Sequence, residues 1–366
     1  MDGTDSSSNL TDVLRLANAA DDFTSSVFYD SSGLMPTNDV FKGTMARDKD
    51  GTVFIYDGTD WTRPNQNGSL YFEPTQAQGS TNGYAAGGSN PSSRPSTNYN
   101  SISRFSFANE ATGADHGDLT ATKEAAGGNS SSSHGYVVGG FTRPSYTIFN
   151  VIEKFAFASS SNATDVGDDL GVNHYGQGSP SPTHGYHAGG FPNGPAGMYT
   201  AIRRYSFSSD ENASSTGTLN RNVFGRGSYT STTDGYVVGL GSATAEKFPF
   251  AASGASSSSV GTLNTQYAQA SNSHLAGYYH DLYNAQDMIK TPFATDTSST
   301  LFTMSISPVA NWYQECSTCS STTDGYWQGH FNGNSIWKFN FSSEGVVTDT
   351  ADLSNSTHQG STGHQF

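Results

Sequence analysis

The sequence predicts an all-β protein whose last three-quarters consists of about six repeated four-stranded sheets. Three observations lead to this fold class. Ser, Thr, Asn and 41 Gly run through the 366 residues, yet the chain also contains 22 Phe, 19 Tyr and 4 Trp, which is unlike a disordered chain. Short apolar segments alternate with turn-forming residues. These segments recur in a fixed order about every 50 residues, as in repeat proteins.

The first segment, residues 1–74, lies outside the repeats and is predicted to be a small unit with a short helix and a β-hairpin. NLTDVLRLANAADDF (9–23) has apolar residues at helical spacing after an Asn or Thr cap. TVFIY (52–56) is a predicted strand between the turn signals DKDG and YDGTD. We expect this segment either to dock the chain on a larger particle or to cover an edge of the repeat domain.

The clearest repeat is a Tyr that follows Gly and opens a short apolar strand. The first four copies read GYAAGG, GYVVGG, GYHAGG and GYVVGL, and the weaker AGYYHD and DGYWQGH follow. Glycines at the ends of a strand indicate positive φ or a close approach of two backbones. The six tyrosines are Tyr84, Tyr136, Tyr186, Tyr236, Tyr278 and Tyr326.

A second segment follows each Tyr and predicts a strand with alternating aromatic residues, as in IEKFAFA. In this copy Phe155 and Phe157 share one face, and Lys154 lies on the other. Ile152 has the opposite parity to the two Phe residues, so it either faces the other way or a β-bulge corrects the register. The six segments begin at or near Ile102, Ile152, Ile202, Ala245, Met288 and Ile336.

A third segment (HGDL, VGDDL, TGTL, VGTL, SSTLF or TADL) and a Gly- and Ser-rich stretch after it supply two more strands. A four-stranded sheet of this size cannot bury its own faces, whereas radial stacking into a β-propeller buries them. Six copies predict six blades, with a seventh irregular blade or an open arrangement as alternatives. The final STHQGSTGHQF is similar to TQAQGSTNGY before the first copy, so we expect the two ends to share a blade.

Residues 75–366 resemble the kelch/galactose-oxidase class of propeller repeat. The likeness rests on the Tyr with its Gly pair and on the aromatic strand that follows at a period near 50. The Trp that usually follows this strand in kelch repeats is missing, so the repeat is only kelch-like. The wording GY..GG with IEKFAFAS and NATDVGD is also similar to repeat proteins of marine tailed bacteriophages that are tail or virion structural proteins.

Charge and hydropathy exclude several classes of partner. The net charge of −15 and the sequence pI near 4.8 argue against a nucleic-acid-binding surface. The sequence contains no stretch of 18 apolar residues, so it predicts no membrane-spanning helix. The first residues lack the basic start and apolar core of a secretion signal, so we expect synthesis in the host cytoplasm without a signal peptide.

No residue pattern predicts catalysis, so we expect a non-enzymatic protein without a cofactor. His134 and His184 hold the same place in successive copies, where Asp234 and Asp324 stand in others. A catalytic residue need appear only once, and recurrence indicates a turn position. Ser is so abundant that a Ser/His/Asp triad has no specific support, and no nucleophile-elbow motif follows a buried strand.

No metal site is predicted either. The single Cys316–Cys319 pair lacks the two further ligands of a zinc site, so we expect a structural thiol pair or a local disulfide. The later copies replace the acidic turns with SSTGTL and SSSSVGTL, so we interpret them as solvated turns rather than calcium sites. These acidic residues are Asp115, Asp118, Asp165, Asp168 and Asp169.

The predicted binding surface lies in the long connections between the Gly pair and the aromatic strand of the first three copies. If the repeat is kelch-like, these connections emerge on one face of the ring. Aromatic residues with Arg are typical of glycan and protein contacts, although the rings could instead fill gaps between blades. The candidate contact residues are Arg94, Tyr99, Arg143, Tyr146, Phe149, Phe191 and Tyr199.

Together these features predict a virion structural protein in the tail or fibre apparatus of a tailed phage. The N-terminal segment would bind other virion proteins, and the propeller would contact a host-surface glycan or protein. By analogy with symmetric virion tips we expect a homo-oligomer, most simply a trimer. The alternatives are a carbohydrate-binding cell-surface propeller and a propeller lyase or hydrolase acting on host polysaccharide.

Overall fold

The computed structural model divides the chain into two compact units, Met1–Pro74 and Thr75–Phe366. Within the residues that it describes, every regular element is a β-strand. These residues are 28–29, 45–48, 53–56, 61–62, 79–90, 97–191, 200–240, 244–251, 254–261, 268–281, 287–303, 317–330, 333–354 and 362–365.

The first unit contains a four-stranded sheet in the order β1-β2-β3-β4. β1 pairs parallel to β2, and the other two pairings are antiparallel. The strand predicted at TVFIY is β3, whose Phe54 is buried and whose Tyr56 pairs with Trp61 across the second turn. The helix predicted over 9–23 lies outside the described residues. The strands are β1 (Phe28–Tyr29), β2 (Met45–Asp48), β3 (Val53–Tyr56) and β4 (Trp61–Thr62).

The second unit is a six-bladed β-propeller, and each blade is an antiparallel sheet of four strands. From the innermost to the outermost strand, blade 1 is β33 (Thr362–Gln365), β5 (Asn82–Ala86), β8 (Ser101–Ser106) and β9 (Ala114–Asp118); blade 2 is β10 (Gly127–Ser130), β11 (His134–Val138), β14 (Val151–Ala156) and β15 (Thr164–Asp168); and blade 3 is β16 (Gln177–Pro180), β17 (His184–Ala188), β18 (Ala201–Ser206) and β19 (Ser214–Thr218).

The other three blades repeat this order. Blade 4 is β20 (Phe224–Thr230), β21 (Asp234–Leu240), β22 (Ala245–Pro249) and β24 (Ser258–Val260); blade 5 is β25 (Ala268–Asn272), β26 (Ala276–Asp281), β27 (Asp287–Pro292) and β28 (Ser299–Thr303); and blade 6 is β29 (Ser317–Ser320), β30 (Asp324–His330), β31 (Gly333–Asn340) and β32 (Thr348–Asp352). Two hairpins, β6 (Ser89–Asn90) with β7 (Thr97–Asn98) and β12 (Phe141–Thr142) with β13 (Thr147–Ile148), extend from blades 1 and 2, and β23 (Ala255–Ser256) pairs parallel to the edge of blade 3.

The ring is closed by the end of the chain. β33 pairs antiparallel with β5, with His364 opposite Tyr84, and so supplies the innermost strand of blade 1. Each innermost strand contacts the innermost strands of both flanking blades, in the cycle β33, β10, β16, β20, β25, β29. The prediction that the two ends share a blade is therefore confirmed, and the ring has six blades.

The innermost strands lie close to one another because glycine occupies them. A Cβ atom at Gly178 would lie 1.9 Å from the carbonyl oxygen of Gly128 in the preceding blade, and one at Gly363 would lie 1.8 Å from that of Thr318. Real Cβ atoms do not approach other atoms this closely, so a side chain at either position would push adjacent blades apart.

Adjacent blades are joined by a repeated aromatic contact, which we call the interblade stack. The landmark Tyr of one blade packs on the Phe that immediately follows the third strand of the next blade. Tyr84 lies 4.8 Å from the Phe157 ring, and its hydroxyl donates to the Phe157 carbonyl. The six stacks are Tyr84–Phe157, Tyr136–Phe207, Tyr186–Phe250, Tyr236–Phe293, Tyr278–Phe341 and Tyr326–Phe107.

The Gly before each landmark Tyr makes room for the first aromatic residue of the same blade. Gly135 pairs across the strands with Phe155, and a Cβ atom at Gly135 would lie 2.3 Å from that ring. Blades 5 and 6 are the exceptions. In blade 5 Thr291 stands where the ring would be, and Tyr229, from the innermost strand of blade 4, covers Gly277 instead, with a ring atom 2.2 Å from where a Cβ would be. In blade 6 a Cβ at Gly325 would lie nearest to the Ser271 hydroxyl of blade 5, at 2.3 Å.

Ile152 lies on the opposite face of its strand from Phe155 and Phe157. Ile152 packs with Tyr136 and Tyr205 towards blade 3, whereas Phe155 packs with Tyr84 towards blade 1, so Ile152 faces the other way. A register shift also occurs between Ile152 and Glu153, but the extra residue lies in the outermost strand, where Val166 is unpaired. The bulge therefore redirects the outer strand without changing the faces of the third strand.

Removing one aromatic side chain from an interblade stack should lower the stability of the whole propeller. Phe157 is only 3% exposed, so we expect Phe157→Ala to lower the free energy of unfolding by about 3–5 kcal/mol through lost burial and an unfilled cavity. Chemical denaturation measures this loss. Leu170→Ala, at a site that is 54% exposed, is the matched control and should change stability by less than about 0.5 kcal/mol. Equal effects of the two substitutions would contradict the importance of the stack.

Removal of the closing strand should have a larger effect than any single surface substitution. Deleting residues 361–366 leaves the edge of β5 unpaired and exposes the inner faces of blades 6 and 2. We expect the midpoint of thermal unfolding, followed by circular dichroism, to fall by about 10 °C or more. An unchanged midpoint would show that the ring does not depend on β33.

Candidate functional site

The antiparallel order of the blades gives the propeller two distinct faces. The turns between the first and second strands and between the third and fourth strands emerge on one side, which we call the turn face. The connections between the second and third strands, and the links from one blade to the next, emerge on the other side, which we call the connection face. The five predicted contact residues that the structure describes, Tyr99, Arg143, Tyr146, Phe149 and Phe191, belong to the connection face.

The most developed structure on the connection face is the β12–β13 hairpin of blade 2. Phe141 pairs with Ile148 and Thr142 with Thr147. The Gly pair before the hairpin makes the sharp exit from β11 possible, because Gly139 and Gly140 have φ values of 68° and 90°. The amide of Gly140 donates to the Asn173 carbonyl at 2.8 Å, which ties the start of the hairpin to the link that leads to blade 3.

The hairpin covers a cluster of rings between blades 2 and 3. Phe141 is fully buried, and its ring lies 4.7 Å from Tyr146 and 5.0 Å from His174. The His174 ring also contacts Phe191 at 5.5 Å and Tyr175 at 4.9 Å. Backbone hydrogen bonds in both directions between His174 and Phe191 fix this part of the cluster. We call these five residues the ring cluster.

Tyr146 is the solvent-facing member of the ring cluster. It is 44% exposed and adopts a φ of 55°, which is uncommon for an aromatic residue. Its hydroxyl oxygen lies 3.3 Å from Nε2 of buried His174. A phenol ring held in this way presents apolar surface to solvent with little conformational freedom left to lose on binding.

Arg143 lies beside Tyr146 and is held from two sides. Its Nε donates to a carboxylate oxygen of buried Glu124, and its guanidinium carbon lies 5.0 Å from the Phe141 ring centroid. Its backbone amide donates to Asn98 Oδ1 in the blade 1 hairpin at 2.7 Å. The Arg143 side chain is nevertheless 42% exposed, so part of it lies at the surface that Tyr146 also reaches.

Burial controls the protonation of the ring cluster. Burial lowers the pKa of His174 to about 4. The positive charge of Arg143 lowers this pKa further, whereas a hydrogen bond with the Phe191 backbone raises it in part. His174 is therefore neutral at pH 7. The positive charge of this region at neutral pH belongs to Arg143, and Glu124 neutralises part of it.

The seven predicted contact residues fall into three groups. Arg143, Tyr146 and Phe191 meet in or beside the ring cluster. Phe149 and Tyr99 are half-buried near Lys123: its ammonium lies 4.6 Å from the Phe149 centroid, and its amide donates to the Tyr99 carbonyl. The remaining two, Arg94 and Tyr199, lie outside the described residues.

Two residues of this site were not identified from the sequence. His174 and Glu124 lie in the links between blades, where the sequence shows only low-complexity residues. Both are almost fully buried, and each is fixed by backbone pairing, Glu124 with Phe141 and His174 with Phe191. The sequence signal that could have identified them is the repeat period: Glu124 and His174 are 50 residues apart, as are their pairing partners Phe141 and Phe191.

Buried charges lie beneath the connection face. Lys123 and Glu153 form an ion pair with both side chains at most 1% exposed, and the Thr120 amide donates to Glu153 at 2.6 Å. In blade 3, Asp169 accepts from Arg203 at 3.1 Å and lies 2.7 Å from His187 Nδ1. The prediction that Asp169 belongs to a solvated turn is therefore wrong, because the buried Arg203 draws its carboxylate into the interior.

The pKa of Asp169 is consistent with its role as a buried anion. Burial opposes ionisation of the carboxylate, but the charges and hydrogen bonds of His187 and Arg203 outweigh it and hold the pKa below its ordinary value. Asp115 and Asp165 are exposed residues of the outermost strands β9 and β15, and each accepts a hydrogen bond from the amide of a Gly two residues later. Within the described ranges, no group of three His, Cys, Asp or Glu side chains is placed to hold a metal ion.

The recurrent His and Asp residues lie in the turns between the first and second strands. His134 Nδ1 and His184 Nδ1 each lie 2.8 Å from the hydroxyl of the preceding residue, and Asp234 and Asp324 accept from the equivalent Thr hydroxyls. In each of these turns a Ser hydroxyl three residues earlier accepts the amide of the His or Asp. The interpretation as turn positions is confirmed.

The cysteine prediction is tested only in part. Cys319 is a buried free thiol in β29 that accepts from Gln328 Nε2 at 2.7 Å, and Cys316 lies outside the described residues. Burial raises the pKa of the Cys319 thiol. The structure thus favours the thiol form over a local disulfide.

The chain matches no protein-family model and none of the curated proteins with which it was compared. No helix among the described residues has the length and apolar character needed to span a lipid bilayer. The site is therefore interpreted from its own geometry: a rigid, half-exposed Tyr and an adjacent Arg on a buried base of rings.

The buried histidines should make stability depend on pH. Burial lowers the pKa of both His174 and His364 to about 4, against about 6.5 in an unfolded chain. Between pH 6.5 and 4 the unfolded state therefore binds more protons than the folded state. The free energy of unfolding should fall as the pH falls through this window and be constant with respect to these groups above it.

The measurement is urea denaturation at pH 7.0 and 4.5. His174→Gln and His364→Gln should each reduce the difference in unfolding free energy between the two pH values relative to the unsubstituted chain, and the effects should be additive. Variants that keep the full pH dependence would show that other groups are responsible.

Proposed function

We propose that this protein is a non-enzymatic attachment or assembly protein that uses the connection face of its propeller to bind a glycan or protein on a cell surface. The observation that carries the proposal is the pair of exposed side chains, Tyr146 and Arg143, held on the buried ring cluster. Rigid aromatic residues next to Arg are the groups that most often supply binding energy in contact surfaces.

The geometry fits a sugar ring better than an extended apolar ligand. A pyranose can lie against the exposed face of Tyr146, while its hydroxyl or carboxylate oxygens accept from the Arg143 guanidinium. The neutral His174 and the paired Glu124 contribute no free charge of their own. The specificity of such a site comes from a few directed hydrogen bonds at the edge of one ring.

The virion assignment rests on the resemblance of the repeats to those of phage tail and virion structural proteins. In this proposal the repeats are kelch-like, the first 74 residues bind other virion proteins, and the protein works in the tail or fibre as a homo-oligomer, most simply a trimer. Mass spectrometry of purified tailed-phage particles from the source sample tests this assignment. Absence of the chain from particles that contain the neighbouring tail genes' products would refute it.

Two alternatives make different predictions. A carbohydrate-binding propeller of a cell surface would be encoded away from capsid and tail genes and preceded by a secretion signal in its gene. A polysaccharide lyase or hydrolase would release unsaturated sugars or new reducing ends from host envelope glycans. Incubation of the purified chain with those glycans, followed by assay of both products, decides between binding and cleavage.

Substitution of the two exposed residues should reduce binding without affecting the fold. We expect Tyr146→Ala and Arg143→Ala each to weaken binding to an immobilised panel of bacterial surface polysaccharides by about tenfold or more, since each removes about 1–2 kcal/mol of contact. Surface plasmon resonance measures the affinity. Leu275→Ala, at a 54% exposed site in a turn of blade 5 on the opposite face, is the control. Equal binding by all variants would exclude the Tyr146 site.

A further inference from the structure

Four of the six blade interfaces carry the same ion pair on the turn face. A Lys in the third strand of one blade binds a carboxylate in the turn after the third strand of the next blade. Lys154 donates to both oxygens of Asp210 at 2.9 Å, and Lys247 donates to Asp296 at 2.8 Å. The four pairs are Lys154–Asp210, Lys247–Asp296, Lys290–Glu344 and Lys338–Glu110.

The acidic residue and the landmark Tyr are part of one arrangement. Every one of these four acidic residues has a left-handed φ between 47° and 52°, which turns its side chain back towards the preceding blade. The Tyr236 hydroxyl donates to Asp296 and the Tyr278 hydroxyl to Glu344, each at 3.0 Å. In two of the four interfaces the phenol therefore joins the Lys in binding the carboxylate, and in all four the propeller's own side chain fills the site.

The other two interfaces combine a different cation with a different turn residue. Arg104 and Arg204 stand where the other blades have Lys, and the residue at the acidic position is Ser160 for Arg104 and Ser253 for Arg204. Ser253 lies outside the described residues. Ser160 is not among the residues with positive φ, and its hydroxyl lies 3.4 Å from His116 Nδ1.

Each Arg lies directly opposite its landmark Tyr in the paired second and third strands, Arg104 opposite Tyr84 and Arg204 opposite Tyr186. Burial raises the pKa of Tyr84 to about 12, and the charge of Arg104 and its hydrogen bond oppose this rise. Arg204 acts on the pKa of Tyr186 in the same way. Both Arg residues are partly exposed, and among the described residues neither forms an ion pair with a carboxylate. Each Arg therefore places a positive charge beside a neutral Tyr hydroxyl, on a protein whose net charge is −15.

We propose that Arg104 beside Tyr84, and Arg204 beside Tyr186, bind Asp or Glu side chains from another protein chain on the turn face, with the guanidinium groups as the donors. The Tyr84 and Tyr186 hydroxyls already donate to the carbonyls of Phe157 and Phe250, so the two phenols pack beside the Arg residues and do not donate to the ligand. The ligand class follows from the four filled interfaces, where an Asp or Glu carboxylate meets the equivalent cation. Arg is suited to this role because its planar fork binds a carboxylate through two parallel hydrogen bonds. The two sites lie two blades apart, so one acidic surface could engage both. This proposal is independent of the Tyr146 site.

The test uses the whole chain and the smallest probe with the proposed chemistry, N-acetyl-aspartate N-methylamide. Its neutral analogue, N-acetyl-asparagine N-methylamide, is the matched control. We expect the probe to shift the side-chain Nε–Hε NMR signals of Arg104 and Arg204 with a dissociation constant on the order of 10 mM, as for one exposed charged contact. Arg104→Gln and Arg204→Gln assign the two signals. Equal shifts with both probes would overturn the proposal.

Two substitutions test whether the four interfaces with an Asp or Glu in the turn and the two with a Ser at the same position are equivalent. Ser160→Asp should supply an internal carboxylate and weaken the Arg104 response at least about threefold, while Arg204 in the same molecule responds as before. Asp210→Ser should create a new response at the Lys154 ammonium signal. If neither change alters the response, the interfaces are not equivalent and the proposal fails. Glucuronate binding at least tenfold more tightly than the aspartate probe would also overturn it, in favour of an acidic sugar.

Discussion

The propeller depends on the stacking of one aromatic ring of each blade on a ring of the next. A single blade has two apolar faces and only four short strands, so it cannot be stable alone. Each landmark Tyr crosses the gap between blades and reaches a Phe or its backbone carbonyl, and the last of these contacts, Tyr326 on Phe107, returns to the first blade. Every blade contributes a Tyr to one interface and a Phe to the other. The loss of one stack therefore weakens the two blades that it joins.

This constraint explains most of the repeat that is visible in the sequence. In five of the six blades a ring lies over the Gly before Tyr, and the Gly pair that follows the strand in the first three copies lets the chain turn sharply onto the connection face. Alternation therefore predicted the strands and their faces, and the six copies predicted the number of blades. The shared first blade was also predictable, because the terminal GSTGH is similar to the segment that precedes the first Tyr.

The parts that the sequence could not predict involve contacts between different blades. Tyr229 replaces a ring that Thr291 lacks, and nothing in the local pattern of either segment indicates that they meet. The burial of Asp169 depends on Arg203 from a strand 34 residues away. In the candidate site, Arg143 and Tyr146 follow from composition, but the supporting His174 and Glu124 come from links whose low complexity gives no local signal.

Closure by β33 makes the first blade the last to be completed during folding. β5 meets its inner neighbour only after roughly 280 further residues have left the ribosome, and contacts so distant in sequence form slowly. Until then blades 2 to 5 can assemble in order, while the first blade exposes the unpaired edge of β5 and the last blade has one uncovered face. Such edges can pair with another molecule of the same chain, so the interval before closure is when exchange of strands between molecules competes with correct folding.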